Sequence, residues 1–152
     1  MNKTGKILVV DDEENVRKVL STALEDDGYF VDTAETGEEA IEKSEVNFYN
    51  LALVDIRLPD MEGTKLLTAM KQTTPKMIMI IVTGYPTLQN AIEAVNKGAD
   101  GYVTKPVDIG NLLKIVKKHL KRQQEAREYT EEKVGQFIET RIRDLEARAH
   151  QY

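Results

Sequence analysis

Cysteine is absent from this 152-residue chain, and so are long apolar stretches. Without cysteine the chain has no disulfides and no thiolate metal sites, and the composition is compatible with a reducing compartment. The longest apolar run, MIMIIV at 77–82, is far shorter than the roughly 20 residues that a membrane span needs. The first residues, MNKTGKILVVDD, lack the apolar core of a secretory signal. We therefore expect a cytoplasmic protein with no membrane segment.

The main body of the chain also lacks an excess of positive charge. Residues 1–106 contain 11 lysines and arginines against 18 acidic residues, whereas residues 107–152 contain 10 against 8. Binding to a nucleic-acid backbone requires clustered positive charge, which an acidic body does not provide. The mildly basic part lies on one helix pattern and is typical of a solvated face, so direct nucleic-acid binding is not expected.

Short apolar runs alternate with stretches of helical period along the sequence. This alternation predicts an α/β fold, in which a doubly wound parallel sheet of five strands has helices on both faces. Three runs are continuously apolar, as strands buried on both faces should be, and we place them at the centre of the sheet. The other two, the second and the fifth, are shorter and more polar, which suits edge strands. The predicted strands are KILVV (6–10), YFVDTA (29–34), LALVD (51–55), MIMIIVT (77–83) and GYVTK (101–105).

Helix boundary signals accompany these strands. Thr36, with Glu39 three residues later, has the spacing of a capping box, and Thr87 is a predicted N-cap. Gly28 and Gly98 follow helix patterns where a C-terminal glycine is common. The first helix has one apolar stripe, formed by Val16, Val19, Leu20, Ala23 and Leu24.

Two of the central strands run directly into carboxylates. ILVV is followed by Asp11 and Asp12, and LALV is followed by Asp55. Ligands of open α/β sheets bind beyond the carboxyl ends of the strands, so these three acids should lie close together. Carboxylates that close repel one another unless a cation neutralises them. An all-oxygen set without histidine or cysteine predicts a Mg²⁺ site rather than a zinc site.

Two further strand ends complete a phosphoryl site. MIMIIV ends at Thr83 and Gly84, and GYVT ends at Lys105. A metal ion and an ammonium group would neutralise a phosphoryl group, the Thr83 hydroxyl would hydrogen-bond it, and Asp55 is the nucleophile that could carry it. Each of these residues alone has an ordinary structural explanation as a turn, cap or surface residue. Their joint occurrence at successive strand ends favours the functional interpretation.

Four segments carry a family resemblance. ILVVDDE, LALVDIRLPDMEG, IIVTGY and GADGYVTKP resemble the signature segments of response-regulator receiver domains of two-component signalling, over about residues 6–120. The resemblance implies a flavodoxin-like sheet with strand order 2-1-3-4-5. It also implies that Asp55 is the phosphorylated aspartate, that Asp12 binds Mg²⁺ directly and that Asp11 does so through water. The backbone carbonyl of Arg57 would be a further metal ligand.

The same resemblance implies a switch. Thr83 would be the switch hydroxyl, Gly84 the small residue that leaves room for the phosphoryl group, and Lys105 the pocket lysine, with a cis bond to Pro106. Tyr102 would be the switch aromatic, whose ring turns into space that Thr83 vacates. A sensor histidine kinase would supply the phosphoryl group, and the shifted surface would control a downstream protein. Such a domain assists its own phosphorylation and dephosphorylation but is not an enzyme on external substrates.

Three other functions share some of these features. A Mg²⁺-dependent phosphatase with an aspartyl nucleophile would typically have a second aspartate two residues after the first, where this chain has Arg57. A receiver-like interaction module without phosphorylation should lack a pocket residue, and none is missing. A flavin or nucleotide binder would need a glycine-rich or hydroxyl-rich loop after the first strand, where the sequence is DDEEN.

The C-terminal part predicts one long helix from Ile109. We expect a receiver domain at 1–122 and a helical extension, a candidate coiled coil, at 123–152. Apolar residues at 4,3,4,3 spacing follow the polar segment at 121–133, namely Ile138, Ile142, Leu145, Ala149 and Tyr152, with Val134 and Phe137 before them. A helix with such a stripe and no domain to cover it usually finds a partner, so a homodimer is expected. Alternatively the extension folds back or frays, or the chain is the N-terminal receiver of a longer regulator.

Overall fold

Five strands and five helices alternate in a computed structural model that describes residues 5–74 and 76–150. The predicted α/β class is therefore confirmed. The strands are β1 (Lys6–Val10), β2 (Phe30–Ala34), β3 (Leu51–Asp55), β4 (Ile78–Thr83) and β5 (Gly101–Thr104). The helices are α1 (Glu14–Asp26), α2 (Gly37–Val46), α3 (Gly63–Thr73), α4 (Leu88–Asn96) and α5 (Ile109–Ala149).

The strands form one parallel sheet in the order β2-β1-β3-β4-β5, which confirms the order implied by the family resemblance. β2 and β5 are the edges, as their more polar sequences predicted. Every residue of β3 and β4 is buried, as is expected for strands covered on both faces. The register pairs Val10 with Val54 and Asp55 with Val82, so the carboxyl ends of the three central strands meet at one edge of the sheet.

The predicted helix caps are present. The side chains of Thr36 and Thr87 accept hydrogen bonds from the backbone N–H groups of Glu39 and Asn90. The Glu39 carboxylate accepts from the N–H of Glu35, one residue before the predicted capping-box partner. Gly28 follows α1 with a φ of 96°, a left-handed conformation that other residues rarely adopt.

The apolar stripe of α1 is only partly covered. Leu20 and Leu24 are completely buried against the sheet side. Val19 of the same stripe, however, is 55% exposed. Its side chain lines a shallow apolar depression together with Val16, Pro106 and Ile109.

Helix α5 begins at Ile109, as predicted, and is unbroken to Ala149. The chain separates into two compact units, residues 1–117 and 118–152, and each is described by itself. In the first unit, Leu112 and Val116 of α5 are completely buried. In the second, residues 124–150 are all exposed. The predicted domain boundary after residue 122 stays a prediction, and Tyr152 of the predicted stripe lies outside the described residues. No helix in the described part of the chain has the length and apolar character needed to cross a membrane.

Candidate phosphoacceptor site

Three carboxylates lie together at the carboxyl edge of the sheet. Asp11 directly follows β1, Asp55 is the last residue of β3, and both are nearly inaccessible to solvent, whereas Asp12 is exposed. Asp11, Asp12 and Asp55 each offer one carboxylate oxygen within 4.8 Å of the other two. The structure therefore brings the predicted acid cluster together, with two acids fixed in the protein and one at its surface.

Lys105 connects two of these acids. Its Nζ lies 2.8 Å from Asp11 Oδ2 and 3.3 Å from Asp55 Oδ2. Burial raises the pKa of Asp55, the charge of Asp11 raises it further, and Lys105 opposes both. Burial lowers the pKa of Lys105, but the hydrogen bond from its ammonium to Asp11 and the charges of both acids outweigh this and leave it raised. Lys105 therefore stays an ammonium and serves as the counterion of the two acids.

Backbone groups fix the orientation of the acids. Asp11 Oδ1 accepts a hydrogen bond of 2.9 Å from the N–H of Glu13, and Asp55 Oδ1 accepts one of 3.3 Å from the N–H of Arg57. The guanidinium group of Arg17 donates to the backbone carbonyl of Asp11 at 2.8 Å. These bonds hold the end of β1 and the Asp55 carboxylate in place before any ligand arrives.

Thr83 closes the site at the end of β4. Its side chain is completely buried, and its hydroxyl accepts a hydrogen bond of 2.9 Å from the N–H of Tyr85. The hydroxyl proton therefore remains available for a second bond. At Gly84, an added Cβ would lie 3.9 Å from the Lys105 side chain, which is ordinary contact, so packing within the protein does not demand a glycine. The role that the resemblance implies for Gly84, leaving room for a phosphoryl group, stays a prediction.

Tyr102 already lies inward. Its ring packs against the hydrophobic core, and its hydroxyl is buried without a hydrogen-bond partner in the part of the chain that the structure describes. An unsatisfied buried hydroxyl costs roughly 1–3 kcal/mol, which offsets part of the gain from burying the ring. The predicted turn of the ring on phosphorylation therefore stays a prediction. The predicted cis bond between Lys105 and Pro106 is present.

Arg57 has a role that the sequence did not indicate. The centre of its guanidinium group stacks 3.6 Å from the ring centroid of Tyr85. The two residues follow Asp55 and Thr83 by the same spacing on neighbouring parallel strands, and this register could have indicated the contact. Each one also donates its backbone N–H to the site residue two positions earlier. The Arg57–Tyr85 stack thus links the loops that carry the acceptor and the hydroxyl, while the role of the Arg57 carbonyl as a metal ligand stays a prediction.

Gly63 and Asp60 support the loop after β3, and sequence reasoning missed both. A Cβ on Gly63 would lie 2.3 Å from the backbone oxygen of Asp55, so only glycine lets α3 begin this close to the acceptor strand. The Asp60 carboxylate accepts hydrogen bonds of 2.9 Å from the N–H groups of Gly37 and Glu38 at the start of α2. The sequence signal was the segment PDMEG itself, whose spacing does not show what each residue contacts.

The donor set fits a hard divalent cation. Three carboxylates with one ammonium group in contact leave an excess of negative charge, and all available ligand atoms are oxygens. Mg²⁺ prefers this chemistry and is usually held by one or two carboxylates together with a phosphate group. Asp11, Asp12 and Asp55 are the residues that would hold it, and among the described residues this is the one such cluster of potential ligands.

Comparison with known proteins gives consistent matches. The response regulator receiver domain family matches residues 7–117. Regulatory protein AtoC of Escherichia coli K12 is 37% identical over 123 residues, which are 81% of this chain and 27% of that protein. Response regulator ArlR of Staphylococcus saprophyticus is 36% identical over 120 residues, 78% of this chain and 53% of that protein. The chain thus corresponds to about a quarter to a half of these relatives.

Two solved receiver-domain structures match over nearly their whole length. A CheY-like response regulator receiver domain protein from Methanospirillum hungatei JF-1 has a TM-score of 0.79 and 43% identity, over 82% of this chain and 99% of that one. The beryllofluoride-activated NtrC4 receiver domain dimer has a TM-score of 0.74 and 33% identity, over 78% of this chain and 98% of that one. With the acid cluster, the lysine and the hydroxyl at the matching strand ends, these findings assign the chain to the response regulator receiver domain family.

Proposed function

We propose that this chain is a phosphorylation switch whose acceptor is Asp55, with a sensor histidine kinase as the phosphoryl donor and a protein as the downstream target. The observation that carries the proposal is the position of Asp55, buried at the end of a rigid strand and in contact with Lys105 and the other acids. A buried carboxylate whose ionisation is perturbed by burial and by a neighbouring like charge is a candidate functional residue. Family membership agrees with this assignment.

The reaction is a transfer between two nucleophiles. An oxygen of the Asp55 carboxylate forms a bond to phosphorus while the bond from phosphorus to the imidazole nitrogen of the donor breaks. The electron pair of the broken bond stays on that nitrogen, and a proton on the other ring nitrogen makes the departing imidazole neutral. Mg²⁺ held by Asp11, Asp12 and Asp55, with the Arg57 carbonyl as a further ligand, would neutralise negative charge in the pocket. Lys105 can pair with a phosphoryl oxygen, and the free proton of Thr83 can be donated to another.

The depression beside Lys105 suits the phosphoryl donor. Val16, Val19, Pro106 and Ile109 line it, and Val19 is exposed although it belongs to the apolar stripe of α1. The depression lies next to the acceptor site, because Lys105 lines the depression and its Nζ contacts Asp55. The apolar surface of a kinase that presents its phosphohistidine to Asp55 would therefore cover it.

The signal to the downstream protein would pass through the hydrogen bond between the Thr83 hydroxyl and the Tyr85 N–H. Movement of the hydroxyl toward a phosphoryl oxygen would break its bond with the Tyr85 N–H and release the loop that leads into α4. Helix α4 has an exposed apolar stripe formed by Leu88, Ile92 and Val95, which suits contact with another protein. The change is a shift between existing conformations, in which Tyr102 takes part, and not a new fold.

Three further aspects belong to the proposal. The exposed apolar stripe of α5 would pair with a second copy of the chain, and the related NtrC4 receiver domain is described as a dimer. The lengths of AtoC and ArlR favour a second possibility, in which this chain is the N-terminal receiver of a longer regulator. The domain would work in the cytoplasm, without direct contact to nucleic acid or membrane.

An aspartyl phosphatase is the competing function. It shares the carboxylates and the lysine, but it needs an acid–base group near the leaving oxygen. At the position two residues after Asp55, Arg57 is stacked on Tyr85 and offers no such group. We therefore propose that the chain does not turn over external phosphate esters.

Intact-mass measurement after incubation with acetyl phosphate tests the assignment. With Mg²⁺ the wild-type chain should gain one phosphoryl group, and with EDTA it should gain none. Asp55→Asn should abolish the gain. Glu62→Gln is the matched control, because Glu62 is an exposed acid in the same loop whose side chain does not cap α3, and this variant should still be labelled. Normal labelling of Asp55→Asn, or release of phosphate from small esters with turnover, would contradict the proposal.

A further inference from the structure

We infer that the C-terminal helices of two copies pair in parallel and in register, with Arg141 of one copy beside Glu146 of the partner subunit. This inference rests on the homodimer of the proposed function and adds its orientation, register and charge contacts. The starting observation is that Ile138, Ile142 and Leu145 remain about half exposed in the second compact unit. Nothing within the described part of that unit covers them.

The heptad assignment follows from the spacing of the apolar residues. Ile142 and Ala149 occupy the positions called a, and Ile138 and Leu145 occupy those called d. A β-branched residue at a together with leucine at d, as in Ile142 and Leu145, favours two strands in parallel over higher oligomers. The spacing of Val134, Ile138 and Ile142 is 4,4, so the regular seam begins near Ile138.

The charges beside this seam differ on its two sides. Glu139 and Glu146 fall at the e positions, and Arg141 and Arg148 fall at the g positions. One side of the apolar stripe is therefore acidic and the other basic. All four residues lie in the exposed part of α5, so a partner can reach them.

This asymmetry decides the orientation. In a parallel pair, each g residue faces the e residue that comes five positions later in the partner, so Arg141 meets an acidic residue at position 146. In an antiparallel pair, g faces g and e faces e, which would place arginine against arginine and glutamate against glutamate. Like charges in contact are destabilising, so the antiparallel arrangement is disfavoured. A shift of the parallel register by one heptad would also remove the contact between 141 and 146.

The first test uses the absence of cysteine from the chain, since an introduced cysteine is then the only thiol. A disulfide requires Cα atoms within roughly 4.4–6.8 Å of each other. The full-length Ala149→Cys and Glu131→Cys variants are mixed in a glutathione redox buffer, and the products are identified by mass. Parallel, in-register helices predict a disulfide between two copies of the 149 variant. A predominant disulfide between positions 131 and 149 would establish antiparallel pairing and overturn the inference.

The second test exchanges the charges. Either Arg141→Glu or Glu146→Arg alone should raise the dimer dissociation constant about fivefold or more, because two symmetric ion pairs become repulsive. The double variant should return to within about twofold of wild type, since it restores both pairs. Arg143→Glu is the matched control, because it makes the same charge change on the solvent face. A double variant as weak as the single variants would overturn the inference.

Sedimentation equilibrium of the full chain shows whether the homodimer itself or only its parallel register is wrong. If the wild type is a monomer at about 100 μM, the proposed homodimer itself is wrong, since so weak an association corresponds to less than about 6 kcal/mol. If the wild type is a dimer but neither the cross-link nor the charge exchange behaves as described, the homodimer stands. Only its parallel register would then be wrong.

Discussion

In the proposed function Asp55 attacks phosphorus as a carboxylate, and its neighbours exert opposing effects on its ionisation. Burial and the charge of Asp11 would favour its protonated form, whereas Lys105 and the Arg57 N–H favour the carboxylate. A carboxylate that must attack phosphorus has to be ionised, so the lysine is needed even before a phosphoryl group arrives. Because the Lys105 ammonium already contacts two acids, it can change partners without leaving the pocket.

Asp60 shows how a surface carboxylate can stabilise the site from a distance. Hydrogen bonds from the N–H groups of Glu38 and Gly37 lower its pKa below the ordinary value. A group whose pKa is lowered by folding stabilises the protein above its unfolded pKa, and this contribution is lost as the pH falls through its folded pKa. The bonds also fix the β3–α3 loop to the start of α2.

We therefore predict that Asp60→Ala lowers the free energy of unfolding at pH 7 by roughly 0.5–1 kcal/mol, a helix-cap effect reduced by solvent exposure. The difference from wild type should shrink as the pH falls below the ordinary aspartate pKa of about 3.9. Urea unfolding at a series of pH values measures both. A difference that is the same at pH 7 and below the folded pKa would contradict the ionic origin of the effect.

At the scale of elements, the contact between α3 and β3 is the most restrictive feature near the site. The Cβ of any residue at position 63 would collide with the Asp55 carbonyl oxygen and with the Ile56 backbone. Backbone atoms cannot rotate away, so the helix itself would have to shift. The geometry of the β3–α3 loop, which follows Asp55, therefore depends on the absence of a side chain at position 63.

Gly63→Ala should destabilise the chain by about 1–3 kcal/mol, the usual cost of overpacking, and should slow labelling by acetyl phosphate. Gly110→Ala provides the control, because a Cβ there would lie 3.5 Å from the Asp108 carboxylate, which is an ordinary contact. In the helix α5 this control should be neutral or stabilising. Thermal unfolding and intact mass give both readouts, and equal stability of the Gly63→Ala and wild-type chains would refute the argument.

The exposed Val19 side chain of α1 gives a prediction about docking of the kinase. Val19→Glu places a charge in the depression beside Lys105 without changing the acids. Labelling by a phosphorylated histidine kinase should therefore slow about tenfold or more, which is the effect of losing a well-packed apolar contact. Labelling by acetyl phosphate should be unchanged, because a small donor does not cover the depression. Val46→Glu is the control, since Val46 is also exposed but lies at the end of α2. Equal slowing with both donors would show damage to the site and not to docking.

At the scale of the whole molecule, the fold could be predicted from local patterns. The alternation of apolar runs and helical stripes indicated all five strands, and the strand-end residues indicated Asp11, Asp55, Thr83 and Lys105 as neighbours. These inferences succeed because a parallel sheet with short connections brings successive carboxyl ends to one edge. The burial of β3 and β4 followed from their composition in the same way.

What could not be predicted are the contacts between loops. The bonds from Asp60 to α2 and the approach of Gly63 to β3 depend on distances that sequence spacing does not fix. The exposure of Val19 was missed for a related reason, because helical periodicity locates a stripe but not its limits. The inward position of the Tyr102 ring depends on packing against the core, which no local pattern encodes.

The central claim is that a phosphoryl group on Asp55 acts on the surface of α4 and β5 through the Thr83 hydroxyl. Beryllofluoride, a phosphoryl mimic, is added with Mg²⁺ to isotope-labelled wild-type, Thr83→Ser and Thr83→Ala chains, and amide chemical shifts around Tyr102 and α4 are measured by NMR. We predict large shifts in the wild type and the serine variant, which keep the hydroxyl. In the alanine variant, changes should be confined to the vicinity of Asp55. Wild-type-sized shifts around Tyr102 in the alanine variant would contradict the claim.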